Sequence, residues 1–215
     1  MFNNLQPVPT DPILGLMTEY KADTNPKKVD LSVGVYKNEQ GDTPVLKAVK
    51  KAEEYILKHE DSKAYLGMAG DVNYNDLMTQ LILGDHKVIK DNRVKTAQTP
   101  GGTGSLRVAA EFISRCNPES TIWVTNPTWA NHLSIFDAAG LKTAEFPYFD
   151  FETMGLKFEE TKAALSQVPA GDVVLFHACC HNPSGMDLNI EQWQSVADIA
   201  KQQGFTVLID AAYLG

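Results

Sequence analysis

The most constraining feature of this 215-residue sequence is a regular alternation of strand-like and helix-like segments that begins near residue 94. Short apolar runs rich in β-branched residues predict strands near 94–98, 120–125, 141–147, 173–178 and 205–210. Helical periodicity predicts helices between them, near 103–116, 129–139, 158–167 and 190–203. Strands that alternate with helices form parallel sheets covered on both faces. The sequence therefore predicts an α/β fold with a mostly parallel sheet and helices on both faces.

The residues before this alternation are organised differently. They predict an extended arm over 1–10, a helix over 11–20 and a strand or extended segment over 27–36. Two further helices are predicted over 45–58 and 73–83. We therefore expect an N-terminal arm and small-domain segment over 1–45, followed by the α/β body over 46–215.

Composition narrows the classes of partner. A formal net charge of -8 argues against nucleic acid and anionic membranes as general partners. The sequence has no apolar run long enough to span a bilayer, and its first residues do not resemble a signal peptide. Three cysteines, Cys116, Cys179 and Cys180, do not form a disulfide framework. These features predict a cytoplasmic protein with reduced cysteines.

Asp210 stands at the carboxyl end of the last predicted strand, directly after the apolar residues 205–209. The carboxyl edge of an open parallel sheet is where α/β proteins bind ligands. A carboxylate there costs free energy unless a cation or a hydrogen-bond donor meets it. Tyr213 follows shortly afterwards and can donate or accept a hydrogen bond. Asp210 and Tyr213 are therefore candidate ligand-binding residues.

Residues 100–105 (PGGTGS) follow a predicted strand and open a predicted helix. Free N–H groups at a helix start attract anions, and glycines such as Gly102 and Gly104 let a phosphate approach closely. Thr103 and Ser105 could add hydroxyl donors. The spacing fits neither the dinucleotide fingerprint nor the Walker A loop. An ordinary strand-to-helix turn explains the glycines equally well when they are considered alone.

Two further predicted strands are each followed by an Asn-Pro pair. In the second pair, Asn182 can present its amide to a ligand oxygen, although a simple Asn-Pro turn would use the same residues. The first pair precedes Trp129, whose flat ring could stack on a ligand or belong to the core. His132 is either a core histidine or a partner of a carboxylate. The histidines show no metal-ligand spacing.

These candidates converge because the carboxyl ends of parallel strands meet at one edge of the sheet. A phosphate-binding loop, an aromatic ring, an amide and a carboxylate would face a single ligand there. A ligand with a phosphate at one end and a protonatable ring nitrogen at the other matches this set. Pyridoxal phosphate is such a ligand, and its pyridinium nitrogen needs an acidic partner.

The sequence resembles the class I pyridoxal-phosphate aminotransferases, in particular the aspartate and aromatic amino acid aminotransferases. The resemblance extends over essentially the whole chain. It rests on six motifs in the family's order: DPIL at 11–14, LSVGVY at 31–36, PGGTG at 100–104, NPTW at 126–129, HNPSG at 181–185 and DAAY at 210–213. The resemblance implies an incomplete large domain of fold type I, preceded by an N-terminal arm and part of a small domain.

The resemblance also implies roles for residues that bind the phosphate and the substrate. Gly102, Thr103 and Gly104 would hold the phosphate of the cofactor. Tyr65 would reach the phosphate in the neighbouring subunit, which makes a homodimer part of the site. Gly34 would lie beside the amino acid or 2-oxo acid substrate.

A second group of residues would surround the cofactor ring. By resemblance, Trp129 would lie against the pyridine ring, and Asn182 and Tyr213 would hydrogen-bond the oxygen of the ring hydroxyl. Asp210 would pair with the ring nitrogen, and His132 would support it from behind. Trp129 and Asn182 would also contact the substrate. The resemblance therefore implies that Asp210, Trp129 and Tyr213 are catalytic.

The implied reaction moves an amino group between aspartate or an aromatic amino acid and 2-oxoglutarate by a ping-pong mechanism. The family's Schiff-base lysine and its phosphate- and substrate-binding arginines would lie beyond residue 215. We therefore expect the chain to correspond to the N-terminal half of the enzyme and to be inactive alone. Further strands of the family's sheet would lie between segment 94–98 and the strand ending at Asp210.

Two alternatives remain open on the sequence. One is a different pyridoxal-phosphate chemistry on the same fold, such as a lyase reaction, against which the NPTW motif argues. The other is a non-catalytic fragment that binds a partner or nothing. The sequence does not discriminate between aspartate and aromatic substrates, because the expected specificity residues lie outside it.

Overall fold

The structure of the chain is a computed structural model that describes residues 12–30 and 34–213. The predicted arm over 1–10 lies outside the described residues. The contacts within the chain divide it into two compact units, Met1–Tyr65 and Leu66–Gly215. The boundary near residue 45 that the sequence suggests falls earlier than this division and stays a prediction.

The described part of the first unit contains two helices, α1 (Pro12–Ala22) and α2 (Lys47–His59), and both lie where the sequence predicts helices. The apolar residues of α2 recur at helical spacing, yet none of them is buried within the described structure. In the segment predicted to be a strand or extended, the described residues 27–30 and 34–36 form no strand. Residues 31–33 lie outside the described residues.

The second unit contains helices on both sides of a parallel sheet. Its helices are α3 (Val72–Leu83), α4 (Lys87–Lys90), α5 (Gly101–Cys116), α6 (Ala130–Ala138), α7 (Phe158–Leu165) and α8 (Ile190–Gln203). Its strands are β1 (Thr121–Asn126), β2 (Lys142–Pro147), β3 (Phe149–Asp150), β4 (Gly155–Leu156), β5 (Val173–His177) and β6 (Thr206–Asp210). No helix in the described residues has the length and apolar character needed to cross a membrane.

Four strands form the main sheet in the order β2-β1-β5-β6, and every neighbouring pair is parallel. The strands β3 and β4 form a separate antiparallel pair that the sequence analysis did not predict. The order places β5 inside the sheet, beside β1 and β6. The predicted α/β fold with a mostly parallel sheet is confirmed.

Local sequence accounts for the ends of α8. The Asn189 side chain accepts a hydrogen bond from the Gln192 N–H, and the Gln192 side chain accepts one from the Asn189 N–H, both at 2.8 Å. This capping box satisfies donors that the first helical turn leaves free. At the other end, Gly204 adopts the left-handed conformation (φ +82°) that ends many helices and costs other residues free energy. Both signals are present in the sequence.

Apolar side chains pack on both faces of the sheet. On one face, Leu106 of α5 and Phe136 of α6 belong to one cluster with Leu175 of β5. On the other face, Val196 of α8 belongs to a second cluster with Phe176 of β5. Burying each such side chain stabilises the fold by roughly 2 kcal/mol. Every residue of β5 is buried, so its carboxyl end is held firmly in the core.

Segment 94–98 is not a strand, contrary to the prediction from its apolar pattern. A strand forms only when its N–H and C=O groups pair with those of a neighbouring strand. The Gln98 N–H instead donates to the Ala69 carbonyl at 2.8 Å, within a loop. Among the described strands β6 pairs only with β5, so β6 forms one edge of the described sheet and is not paired with segment 94–98.

Candidate active site

The carboxyl edge of the sheet brings together several residues that the sequence analysis selected. The selected residues that line one cavity of about 190 Å³ there are Gly102, Trp129, Asn182, Asp210 and Tyr213. The other residues of its lining are Leu106, His177 and Ala212. The selected residues come from the ends of different strands and from the start of α5, as the parallel sheet predicts. The cavity combines apolar walls with a few polar groups, which is typical of small-molecule sites.

Asp210, the last residue of β6, is held as an anion at this cavity. Its side chain is 17% exposed, and its Oδ2 lies 2.9 Å from Nε2 of the fully buried His132. Because an ionised carboxylate only accepts hydrogen bonds, His132 Nε2–H is the donor. This hydrogen bond lowers the pKa of Asp210 despite burial, which acts to raise it, and the Ala212 N–H adds a smaller effect in the same direction. Asp210 therefore carries its charge at neutral pH.

The turn between β1 and α6 fixes the residues behind Asp210. The Thr128 hydroxyl lies 2.8 Å from Nδ1 of His132, which leaves the other ring nitrogen for Asp210. Trp129 caps α6 in an extended conformation, and its carbonyl accepts the His132 N–H at 2.9 Å. The rings of Trp129 and His132 meet edge to face with centroids 5.3 Å apart. One short turn thus orients both Trp129, which forms an aromatic wall of the cavity, and His132, which supports the Asp210 carboxylate.

Helix α5 begins beside the cavity, where Gly102 forms part of the lining. A Cβ atom on Gly102 would meet no other atom within 4 Å, so open space lies against its backbone. A Cβ atom on Gly104 would lie 3.0 Å from ring atoms of Pro100, so the turn is packed around this glycine. The helix start carries partial positive charge. Open space beside free N–H groups is what an anion requires.

The hydroxyl groups of this turn are placed less favourably for a ligand than the sequence suggested. Ser105 Oγ donates to the Gly101 carbonyl at 3.1 Å and is also paired with Thr99 Oγ1. Thr103 is exposed in the first turn of α5 and is not part of the cavity lining. The backbone of the turn is therefore its better-placed anion-binding feature.

His177 is a cavity residue that the sequence analysis missed. It ends β5, as Asp210 ends β6, so its position after a buried apolar run was an available signal. Its Nδ1 accepts the Asn182 N–H at 3.1 Å, so the proton of the neutral ring is on Nε2. Burial, with a contribution from His132, lowers the pKa of His177 to about 4. His177 is therefore neutral at pH 7.

The Nε2 atom of His177 is buried without a hydrogen-bond partner among the described residues. A buried N–H group normally has an acceptor, because leaving it unpaired costs free energy. His177 also lines the cavity, where a bound molecule would supply that acceptor. This unsatisfied donor is the kind of feature expected where a polar ligand binds.

Two predicted site residues belong to the first unit. Gly34 and Tyr65 both lie there, and the Tyr65 side chain is fully exposed within the described structure. Their expected roles beside the substrate and at the phosphate of a neighbouring subunit stay predictions. Among the described residues, no group of three His, Cys, Asp or Glu side chains could hold a metal ion.

The arrangement can bind a ligand with charges of opposite sign at two positions. The start of α5 attracts an anion, and Asp210 attracts a cation or a protonated ring nitrogen. Trp129 offers an aromatic surface in the same cavity, while Asn182 and Tyr213 are polar groups at its wall. The cavity is therefore suited to a flat, polar, phosphorylated molecule.

Comparison with known proteins agrees with this chemistry. The family model described as "Aminotransferase class I and II" matches residues 26–215. The chain is 50% identical over its whole length to an aspartate aminotransferase of Salmonella typhi and 45% identical to an aromatic-amino-acid aminotransferase of Paracoccus denitrificans. It covers 54% of each of these proteins, so it spans about half the length of the curated relatives it matches.

Solved structures give the same result for the fold. An aromatic-amino-acid aminotransferase from Burkholderia pseudomallei, covalently bound to pyridoxal phosphate, superimposes with a TM-score of 0.94 at 41% identity. The match covers 99% of this chain and 54% of that one, as expected for an incomplete transferase fold. The family is dependent on pyridoxal phosphate. A family match over most of the sequence and the shared fold together establish that the chain belongs to the class I and II aminotransferases.

Proposed function

We propose that the full-length protein containing this chain is a pyridoxal-phosphate-dependent aminotransferase. It would move an amino group between aspartate or an aromatic amino acid and 2-oxoglutarate in two half-reactions. Aspartate and aromatic-amino-acid aminotransferases are similar to the chain at comparable identity, so both substrate classes belong to the proposal.

The observation that carries this proposal is the charged Asp210 in the same cavity as the start of α5. The residues fit pyridoxal phosphate in kind, because the cavity offers an anion site, an aromatic wall and a carboxylate. We assign the phosphate to the backbone around Gly102, Thr103 and Gly104. When bound, the cofactor supplies an electron sink for the charge that develops at the α-carbon of the substrate.

The residues of this chain would tune and orient the cofactor. Asp210 would hold a proton on the ring nitrogen, because its negative charge favours the protonated ring. Trp129 would cover the ring and exclude water from it. Asn182 and Tyr213 would hydrogen-bond the oxygen of the ring hydroxyl. His132 keeps Asp210 oriented and ionised through its 2.9 Å hydrogen bond.

The remaining parts of the site are proposed to come from outside this chain. The chain spans about half of its relatives, and we expect the lysine that binds the cofactor and takes the α-proton in the other half. The chain alone is then inactive. Tyr65 would contribute to the phosphate site of the partner in a cytoplasmic homodimer, and Gly34 would lie beside the substrate.

Amino transfer by the full-length protein tests this proposal. We expect pyridoxal phosphate to bind, and 2-oxoglutarate to become glutamate when aspartate, phenylalanine or tyrosine is the donor. The ratio of kcat/KM for these donors assigns the substrate class. Release of ammonia without amino transfer would favour a lyase, and failure to bind pyridoxal phosphate would favour a non-catalytic protein.

A further inference from the structure

The loop between β5 and α8 carries Asn182 and has little regular structure of its own. Its backbone N–H groups therefore need partners that a helix or strand would otherwise supply. Three consecutive donors find side-chain acceptors: Cys180 N–H at 2.8 Å and His181 N–H at 2.9 Å bind Asp187, and Asn182 N–H binds His177. Two side chains, those of Asp187 and His177, thus accept all three of these N–H groups.

Asp187 makes the stronger of these contacts. Its Oδ2 and Oδ1 atoms each accept one of two adjacent N–H groups, so a single carboxylate spans the two residues that precede Asn182. Hydrogen bonds to an ionised acceptor are stronger than those between neutral groups. Cys180 has a positive φ of 51°, which costs a non-glycine residue free energy and needs compensation. The two bonds from the carboxylate offset that cost.

The rest of the loop is fixed around the same point. The His181 ring lies between the Thr125 hydroxyl, 2.9 Å from Nε2, and the Ser184 hydroxyl, 2.7 Å from Nδ1. The Gly185 N–H closes the turn on the His181 carbonyl at 2.6 Å. These contacts anchor the loop on both sides of Asn182, but they leave the Cys180 and His181 N–H groups to Asp187. A change at Asp187 would therefore alter the backbone directly before Asn182.

We propose that Asp187 is a positioning residue for Asn182, holding the loop so that the Asn182 amide meets the hydroxyl oxygen of the cofactor ring. This inference rests on the proposed function, because it takes pyridoxal phosphate as the ligand of the cavity. Asp187 acts only through the backbone and does not itself touch the cofactor. It differs from a purely structural residue because its loss changes the electronic environment of the bound ring.

The visible absorbance of the cofactor in the full-length protein tests this role. Its change with pH follows a protonation of the chromophore, and a hydrogen bond to the ring hydroxyl oxygen shifts the pH at the midpoint of that change. Four proteins are compared: wild type, Asn182→Ala, Asp187→Ala and the double variant. We expect Asp187→Ala to move the pH midpoint in the same direction as Asn182→Ala, by a smaller amount. The double variant should show the Asn182→Ala midpoint without a further shift, because the effect of Asp187 passes through Asn182.

Cofactor affinity gives an independent readout. Asp187→Ala should weaken pyridoxal phosphate binding about tenfold, because two charge-assisted hydrogen bonds no longer hold the loop. Asp187→Asn keeps one acceptor oxygen, so its affinity for pyridoxal phosphate should lie between those of wild type and Asp187→Ala. Asp187→Asn replaces Asp187→Ala in the comparison if the alanine variant does not fold. Asp150→Asn is the matched control, because Asp150 accepts the Glu152 N–H at 3.0 Å in a turn that does not line the cavity. Its midpoint and affinity should equal those of wild type.

Two results would overturn the inference. One is a folded Asp187 variant whose midpoint and affinity match wild type. The other is a double variant whose midpoint shift is the sum of the two single shifts, which would mean that Asp187 acts independently of Asn182. Failure of the proposed function is distinguishable, because wild-type protein would then bind no pyridoxal phosphate.

Discussion

At the scale of single residues, Asp210 illustrates how a buried charge is maintained. Its carboxylate has lost much of its contact with water, yet the hydrogen bond from His132 lowers its pKa. His132 is in turn oriented by Thr128. The three side chains come from two segments that are far apart in the sequence, so their contact depends on the fold.

We predict that Asp210→Asn lowers turnover of the full-length protein by roughly a thousandfold, about 4 kcal/mol of activation free energy. The amide has nearly the same size but lacks the charge that keeps the ring nitrogen protonated. Steady-state kinetics at saturating pyridoxal phosphate measure the effect. Asp150→Asn, in an exposed turn, should turn over normally. Near-normal turnover of Asp210→Asn with cofactor bound would contradict the assignment.

We also predict that acid destabilises the cofactor-free protein through two buried histidines. Burial and a neighbouring imidazole lower the pKa of His177 and of His181 from 6.5 to about 4. The unfolded chain therefore binds protons at a higher pH than the folded one. Stability should fall from about pH 6.5 towards pH 4, by up to about 1.4 kcal/mol per pH unit for each histidine.

Urea unfolding between pH 7.5 and 4.5 measures this dependence. His181→Asn removes one titrating group, so the free energy of unfolding should change less steeply with pH. His59→Asn is the control for the loss of a histidine as such, because His59 is exposed on α2 and lies outside the buried pair. An equal slope in wild type and His181→Asn would show that His181 is not buried in its neutral form.

At the scale of elements, the start of α5 supplies positive partial charge without a basic side chain. We predict that it binds pyridoxal phosphate in preference to pyridoxal or ATP, because the turn matches a phosphate but neither nucleotide fingerprint. Gly102→Ala should weaken pyridoxal phosphate binding by placing a methyl group in the open space beside the backbone. Its effect on unfolding should stay within about 1 kcal/mol.

Equilibrium dialysis of the full-length protein with each ligand measures this preference. Gly104→Ala offers a comparison, since its methyl group would press on Pro100 and should affect stability as well as binding. Equal retention of pyridoxal and pyridoxal phosphate would contradict phosphate binding at α5. Unchanged binding by Gly102→Ala would place the phosphate elsewhere.

At the scale of the whole molecule, the open edge of β6 is a liability for the isolated chain. Among the described strands, β6 pairs only with β5, and Ile209 within it is 53% exposed. A groove beside it is lined by apolar residues that include Met78 and Leu208. An unpaired strand edge with exposed apolar side chains favours association between chains.

We predict that these 215 residues, expressed alone, self-associate as concentration rises and show no aminotransferase activity. Sedimentation velocity over a concentration series measures the association. Ile209→Lys should reduce it, because a charge on an edge strand opposes pairing. Ile190→Lys, at the exposed start of α8, is the matched control and should not. A cooperative, monomeric and active isolated chain would contradict the prediction.

Much of this architecture could be predicted because its signals are local. The capping box at Asn189 and the glycine at 204 mark the ends of α8 within a few residues of sequence. The continuous apolar run of β5 predicts an inner parallel strand. The same logic placed Asp210, Asn182 and the start of α5 at one edge of the sheet, where the structure has them lining one cavity.

The sequence by itself thus determined the parallel α/β class, most helix and strand positions and the family motifs. Only the tertiary structure decided the strand order, the absence of a strand at 94–98 and the contacts of His177 and Asp187. The physical reason is that propensity and capping act between near neighbours in the chain. Strand pairing and the partners of buried polar groups instead depend on which distant segments meet, and the pattern of one segment does not specify its partner.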